Sequence, residues 1–331
     1  MKKRITLWLL ATLFLANVSL ADAQQTSKVP RIGYLDNSTA AGIAVFLEAF
    51  RQELSKLGWI EGKNITIEYR FAEQKNERLH ELAVELVRQK VDLIVTSGGP
   101  TPLAAKKATT TLPIVMINSP DPVAAGLVTS LARPGGNVTG LSGLVPELTS
   151  KRLEILKDAI PRLSRVGLLR TPGGALGSDP ELQLKELRPA ALALKIKLED
   201  IKTQPDAKGL ESAFQTAKQK QVGAIMTATG RRFFAERKRV VELAVKYRLP
   251  AIYPEKGYVD EGGLMSYGAD YDDLYRRAAF YVDKILKGAK PADLPVQQAT
   301  KFEFVINLKA AKHIGLTLSP EFLSRANRVI K

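Results

Sequence analysis

The sequence predicts an α/β protein with two doubly wound parallel-sheet lobes joined by a hinge. After the first two dozen residues, short apolar runs alternate with amphipathic stretches along the whole chain. Such alternation is typical of strands in a parallel sheet that is covered by helices. The alternating unit occurs twice, with a joint near residues 142–150, and two lobes are therefore expected.

The first lobe is predicted from runs that alternate or are uniformly apolar, separated by stretches with apolar residues three or four apart. The expected strands are 31–35, 65–69, 92–96, 113–117 and 138–141. The expected helices are 41–57, 77–89, one that begins behind Pro100, and 122–131. In the first of these helices, Phe46, Phe50 and Leu54 share one face, and Gly58 ends it.

The second lobe repeats this rhythm from about residue 149. The expected strands are 165–169, 197–201, 224–228, 250–253 and 263–268. The expected helices are 149–159, one that ends near residue 194, 207–220, 233–247 and 271–286.

The first residues indicate export. Met1 to Arg4 is basic, residues 5–15 are apolar, and Ala21-Asp22-Ala23 forms a small-residue cleavage site. The apolar run is too short to span about 30 Å of hydrocarbon as a helix, so residues 1–23 are expected to be a signal peptide. The chain has no cysteine, which excludes disulfides, thiol nucleophiles and a lipid anchor of the bacterial lipoprotein type.

The formal net charge is +15, but the basic residues are scattered. Pairs such as Lys106-Lys107 and Arg231-Arg232 lie on predicted helices and form no long run. We therefore expect no nucleic-acid partner, and interpret the charge as favouring solubility and attraction to an anionic envelope.

In doubly wound sheets, ligands bind at the carboxyl ends of the strands. Two facing lobes therefore place two such rims across one cleft. The candidate ligand-binding residues at these rims are Asn37, Ser38, Ser97, Gly98, Thr101, Asn118, Asp121, Thr171, Thr229, Phe233, Tyr253, Glu255, Tyr267 and Asp270.

The chemistry of these residues matches an amino-acid-like solute. Ser97, Gly98 and Thr101, at the start of a helix, suit a carboxylate. One of the carboxylates Asp121, Glu255 and Asp270 suits an ammonium group, while Phe233 or Tyr253 would cover a side chain. Each has a simpler alternative. The serine, threonine and aspartate residues could be helix caps, and Tyr253 and Tyr267 could be packing residues.

Motifs of common enzymes are not met. The segment "TSGGPTPLAAKKAT" lacks the GxxxxGK[ST] spacing of a phosphate-binding loop, and "RPGGNVTG" precedes a strand rather than following one. "GLSG" misses the GxSxG spacing by one residue, and the two histidines, His80 and His313, offer no metal pair or triad. No cofactor, metal ion or catalytic residue is expected.

Four long segments resemble one known family. "RIGYLDNS", "FRQELSKLGWIEGKNITIEYRFAE", "VDLIVTSGGPTPLAAKKATTTLPIVMINSPDPVAAGLVTSLARPGGNVTG" and "DLPVQQATKFEFVINLKAAKHIGLTL" are similar to ABC transporter substrate-binding proteins of the TrpX-like type. The likeness runs from about residue 29 to 325. It implies the type I periplasmic binding protein fold, in which the chain crosses three times between the lobes.

The resemblance implies lobe boundaries and hinges. The first lobe would contain residues 28–143 and about 271–294, and the second 144–270 and about 295–331. The hinge would cross near 142–146, 268–272 and 293–300.

The resemblance also implies a function. The protein would be a monomeric periplasmic component of an ABC importer that captures a small polar solute, such as an amino acid (possibly aromatic) or a related small acid, and passes it to an inner-membrane permease. Two alternatives remain at this point: an exported α/β enzyme, hydrolase-like, that uses the same cleft, and a ligand-sensing domain of a receptor.

Overall fold

The computed structural model describes residues 28–172 and 180–331. The expected signal peptide, residues 1–23, lies outside the described residues. The strands are β1 Arg31–Asp36, β2 Thr66–Phe71, β3 Leu93–Ser97, β4 Ile114–Ser119, β5 Val138–Ser142, β6 Arg165–Arg170, β7 Lys197–Lys202, β8 Ala224–Thr227, β9 Ala251–Tyr253, β10 Met265–Ala269, β11 Gln297–Gln298, β12 Phe302–Asn307 and β13 Arg328–Ile330.

Helices connect most of these strands and cover both sheets. They are α1 Ala44–Lys56, α2 Leu79–Arg88, α3 Pro100–Ala108, α4 Val145–Ala159, α5 Pro180–Ala193, α6 Ala207–Gln219, α7 Arg231–Ala235, α8 Arg237–Lys246, α9 Lys256–Asp260, α10 Tyr271–Leu286, α11 Leu308–Ile314 and α12 Pro320–Ser324. Short 3₁₀ turns at Ala41–Ile43 and Asn76–Arg78 lead into α1 and α2. Among the residues described, no helix has the length and apolar character needed to cross a membrane.

The strands form two sheets with the same winding order. The first sheet has the order β11-β5-β4-β3-β1-β2, and the second has the order β13-β12-β10-β9-β8-β6-β7. The predicted fold class, two doubly wound α/β lobes, is therefore confirmed. In both lobes the order reverses beside the first strand, between β1 and β3 and between β6 and β8, and ligands bind at such reversal points.

The chain crosses between the lobes three times. After β5, helix α4 packs on the second sheet, and after β10, helix α10 packs on α1 and β4 in the first lobe. Trp59 fixes α10 there, because its indole N–H donates to Asp283 at 2.9 Å.

The third crossing lies later than the expected boundary near residue 295. Gln297–Gln298 still pairs with β5 in the first sheet, and the chain joins the second sheet only at β12. Because β12 arrives from the other lobe and not through a crossover helix, it is free to run antiparallel to β10. The expectation of purely parallel pairing is wrong at this one junction.

Two of the expected helices differ in the structure. Residues 122–131 form turns, because the Asp121 carboxylate accepts from the backbone N–H groups of Val123 and Ala124 and Gly126 adopts a positive φ of 66°. The expected helix 233–247 is two helices, α7 and α8, which meet at Glu236. The break turns α7 towards the cleft.

Candidate functional site

A cavity lies between the carboxyl ends of the two sheets. It has about 920 Å³ of empty space, part of which is open to solvent. The lining described is Asn37, Asn76, Ser97, Gly98, Gly99, Pro100, Asn118, Pro120, Val145, Thr171, Gln183, Ala228, Thr229, Gly230, Arg231, Arg232, Phe233, Glu255 and Tyr271. Eleven of these nineteen residues have polar or charged side chains, so the cavity suits a polar molecule.

Eight of the fourteen candidate residues line this cavity. They are Asn37, Ser97, Gly98, Asn118, Thr171, Thr229, Phe233 and Glu255. Seven of them lie within two residues of the end of a parallel strand, as the strand-end rule expects, and Phe233 lies in α7, the helix that follows β8.

The other six candidates are placed elsewhere, and three of them serve the local backbone. Asp270 caps α10 by accepting from the Asp273 N–H at 3.0 Å, and Asp121 holds the turn described above. The Thr101 hydroxyl donates to the Ser97 carbonyl at 2.5 Å. For Asp270 and Asp121 the alternative of a cap or turn residue therefore describes the structure, whereas Thr101 lies inside α3 and bonds back to the end of β3.

The remaining three are packing residues. Tyr253 is fully buried and stacks on Tyr258, with the ring centroids 4.6 Å apart. Tyr267 stacks on Phe302 on the far side of the second sheet's rim. Ser38 is buried behind β1, where its backbone N–H donates to Asp36.

Helix α3 brings free backbone donors to the cavity. Pro100 and Pro102 occupy its first turn and carry no N–H, and no side chain caps the helix. The N–H groups of Gly99 and Thr101 therefore remain at this positive helix end, and of these two residues Gly99 belongs to the described cavity lining. Gly98, with φ of 81°, makes the left-handed turn from β3 into the helix that a residue with a Cβ would adopt only with strain.

Asn118 reaches the cavity because β4 is irregular. Its register against β5 shifts between Met116 and Ser119, and Asn118 has a positive φ of 57°. Asparagine tolerates this conformation better than most residues. The Asn118 amide donates to the Tyr271 hydroxyl at 2.9 Å, which connects the β4 rim to the start of α10.

Arg231 is the main residue that sequence reasoning missed. The sequence pattern predicts that it belongs to a dispersed basic surface, yet it is 9% exposed and lines the cavity. Its guanidinium crosses from the second lobe to the first, where it lies 3.4 Å from Ser97 Oγ and 3.3 Å from the Tyr275 hydroxyl. The available signal was its position, directly after Thr229 and Gly230 at the end of β8.

Two further missed residues hold the rim of the second lobe. The Gln183 side chain accepts from the Thr229 N–H at 2.8 Å and donates to the Thr229 carbonyl at 3.1 Å. Arg152, which is 1% exposed, donates to the Thr229 hydroxyl at 3.1 Å. Burial lowers the pKa of Arg152 to about 10. The loop after β8 is thus held by hydrogen bonds on both sides.

The cavity contains one close pair of opposite charges. Arg231 Nη1 lies 3.6 Å from Glu255 Oε2. Burial raises the pKa of Glu255, although Arg231, Arg152 and Arg237 act in the opposite direction. Burial alone would lower the pKa of Arg231, but the neighbouring Tyr275, Glu255, Asp36 and Tyr271 outweigh it and raise that pKa above its ordinary range.

Five buried side-chain atoms on the cavity have no hydrogen-bond partner within the described part of the chain. They are Asn37 Oδ1, Asn118 Oδ1, Arg231 Nη1, Arg232 Nε and Glu255 Oε2. Buried polar atoms are normally hydrogen-bonded, so these are positions where a bound molecule can supply the missing partners. Among the described residues, no group of three or more His, Cys, Asp or Glu is placed to hold a metal ion.

These observations define the class of the protein. Two doubly wound lobes that are joined by three crossings and that enclose a polar cavity form the type I periplasmic binding protein fold. Residues 41–330 match the family described as ABC transporter substrate binding protein, and the chain belongs to that family. Membership implies a small-molecule solute and an ABC permease as partners.

Individual relatives agree with this assignment. The chain is 28% identical to a tyrosine-binding protein of Clostridioides difficile strain R20291 over 271 residues, which covers 81% of this chain and 76% of the relative. It is similar to the ABC domain of Streptococcus pneumonia in complex with L-Trp, with 26% identity, a TM-score of 0.82 and coverage of 91% and 99%. A ligand-free, open substrate-binding protein with adhesive properties from Clostridium difficile also matches, with 26% identity, a TM-score of 0.67 and coverage of 92% and 99%.

Proposed function

We propose that this protein is the periplasmic solute-binding component of an ABC importer, and that it binds an amino acid or a related small acid in the cavity between its lobes without transforming it. The observation that carries the proposal is the set of five buried polar atoms on the cavity that have no hydrogen-bond partner among the described residues. Three of them, Asn37 Oδ1, Asn118 Oδ1 and Glu255 Oε2, accept hydrogen bonds, as an ammonium group requires. The other two, Arg231 Nη1 and Arg232 Nε, are donors for a carboxylate.

The start of α3 adds to the donor set. The free N–H group of Gly99 would bind one carboxylate oxygen, while Glu255 and the asparagine oxygens would bind the ammonium. A zwitterion would thus satisfy both halves of the cavity at once. The names of the relatives, tyrosine-binding in one and bound to L-Trp in another, support an amino acid as the solute class.

Binding would close the hinge. The two relatives with 26% identity differ in similarity to this structure, with TM-scores of 0.82 for the L-Trp complex and 0.67 for the ligand-free open form. This difference supports a closed arrangement here. So do the contacts across the cleft, including Arg231 to Ser97 and the Phe46 and Phe234 rings at 5.9 Å. A solute that contacts both rims stabilises this arrangement over the open one.

The remaining parts of the proposal concern the export of the protein and its location in the cell. The leader at residues 1–23 would direct export and be removed, and the absence of cysteine would leave the mature protein without a lipid anchor. The mature monomer would diffuse in the periplasm and deliver its solute to the inner-membrane permease.

The function is tested by identifying the solute. Native mass spectrometry of the purified mature protein should show a retained small molecule at one per chain. Calorimetric titration of that molecule into solute-free protein should show saturable binding, and NMR should show the molecule unchanged after prolonged incubation. Conversion of the molecule into a product would contradict the proposal and favour an enzyme.

The raised pKa of Glu255 leads to a pH dependence. An ammonium group binds the ionised carboxylate, and burial makes Glu255 take up a proton at a higher pH than an exposed glutamate. We therefore expect the affinity for the solute to fall as the pH is lowered from 7 to 5. Calorimetric titrations across this range would measure it, and Glu255→Gln should show a much flatter profile. An equally steep fall in the variant would assign the effect to another group.

A further inference from the structure

We infer that Arg231 sets the solute specificity of the cavity: it covers the aromatic surface of the cleft, so that the cavity accepts a compact polar amino acid or small acid and excludes an aromatic side chain. This inference rests on the proposed function, since it concerns the molecule that the same cavity would bind.

The guanidinium of Arg231 lies directly on the aromatic surface. Its central carbon is 5.3 Å from the centroid of the Phe46 ring and 5.2 Å from that of Tyr271, and the two rings are 5.5 Å apart. The three groups therefore form a nearly equilateral triangle. Arg231 and Tyr271 line the cavity while Phe46 does not, so the arginine stands between the Phe46 ring and the solute space.

Contacts from both lobes hold the guanidinium in this place. On the first lobe it meets Ser97 Oγ and the Tyr275 hydroxyl, which are themselves 2.6 Å apart. On the second lobe its charge is balanced by Glu255. A cation held over aromatic rings with a nearby counter-ion is favourable in a desolvated site.

The consequence for the solute is steric and electrostatic. From this cavity, an aromatic side chain could reach the Phe46 ring only by displacing the guanidinium. That displacement would separate the guanidinium from Glu255 and leave two charges buried without compensation. A compact acid displaces nothing. It instead accepts a hydrogen bond from Arg231 Nη1, which faces Glu255 but has no hydrogen-bond partner among the described residues. Phe233 and Tyr271 remain as the aromatic residues among the described lining.

The test is a calorimetric panel on protein that has been freed of retained solute by denaturation and refolding. The compact probes are L-serine, L-aspartate and L-glutamate, and the aromatic probes are L-tyrosine and L-tryptophan. We expect the wild type to bind at least one compact probe roughly tenfold or more tighter than either aromatic probe.

Three variants separate the steric effect of the Arg231 side chain from the effect of its charge. Arg231→Ala exposes the aromatic surface. Its affinity for the compact probe should fall about tenfold, and its affinity for an aromatic probe should rise about tenfold. Arg231→Met removes the charge, but its side chain still covers the rings. Its affinity for the compact probe should fall, and its affinity for the aromatic probes should not rise. Arg239→Ala, which removes an exposed arginine paired with Glu236 on the next helix, should behave as the wild type. Thermal unfolding followed by circular dichroism checks that each variant folds.

Two results would overturn the inference. One is that the wild-type protein binds L-tyrosine or L-tryptophan more tightly than every compact probe. This result would contradict the inference about Arg231 but would still agree with the proposed solute-binding function. The other is an Arg231→Ala variant that folds and gains no aromatic affinity, whatever the wild type binds. Failure of the proposed function itself would be distinct, because then native mass spectrometry would find no retained solute and no probe would bind any form of the protein.

Discussion

Replacing Glu255 with glutamine is expected to weaken solute binding by about 2–3 kcal/mol, or roughly 30- to 150-fold in affinity. Glu255 is 5% exposed, and its Oε2 has no hydrogen-bond partner. Although it directly precedes α9, its side chain does not cap that helix. Arg231 Nη1 lies 3.6 Å from this oxygen, beyond hydrogen-bond distance, so the carboxylate can still accept from a cationic group in the cavity. Glutamine keeps the shape of the side chain while it removes the charge.

Calorimetric titration of the retained solute into both proteins would measure this effect. The matched control is Glu261→Gln in the same lobe. The Glu261 carboxylate lies 3.3 Å from the Arg237 guanidinium, and neither residue lines the cavity. This control should bind within about twofold of the wild type, a small change on the affinity scale. If Glu255→Gln binds as tightly as the control, Glu255 does not contact the solute and the ammonium must be bound elsewhere.

Replacing Gly140 with alanine is expected to lower the free energy of unfolding by about 4 kcal/mol or more. Gly140 lies within β5 with φ of 130°, a conformation that L-residues rarely adopt. A Cβ at this position would overlap the Met116 carbonyl oxygen and lie 2.7 Å from the Met116 nitrogen. Those atoms belong to the backbone of the neighbouring strand, so no side chain can move aside to relieve the clash.

The same substitution should also disturb the cavity. Met116 begins the register shift that ends at Ser119, and Asn118 lies inside it. Denaturant unfolding would measure the stability, and titration of the surviving folded protein would measure binding. Gly136→Ala is the matched control from the same "RPGGNVTG" segment. A Cβ there meets nothing within 4 Å, so a change below about 0.5 kcal/mol is expected. Similar stabilities for the two variants would contradict the steric argument.

These two glycines show why a motif can be visible in sequence while its role is not. The segment that contains them stands out in the sequence, and its position before a strand excludes a dinucleotide fingerprint. In the structure, Gly140 permits the close approach of β4 and β5. Just beyond the segment, a side chain at Gly143 would overlap Asn118 Oδ1. Close approach between strands distant in sequence leaves no local signal beyond the glycine itself.

The sequence by itself determined the fold class and the rim of the cleft. Hydrophobic periodicity indicates whether a segment forms a helix or a strand. In a parallel sheet the carboxyl ends of all strands lie at the same edge. Thr171, Thr229 and Glu255 could therefore be placed at one cavity although more than eighty residues separate the first from the last.

Only the tertiary structure decided which rim side chains face the cavity. A fully buried strand gives no alternation, so Tyr253 could not be assigned to the core in advance. Caps such as Asp270 carry the same residue types as ligands. Arg231 was the clearest case, since its sequence context is that of an exposed basic helix. Its burial depends on partners from both lobes, including Ser97 and Tyr275, which come together only when the whole chain has folded.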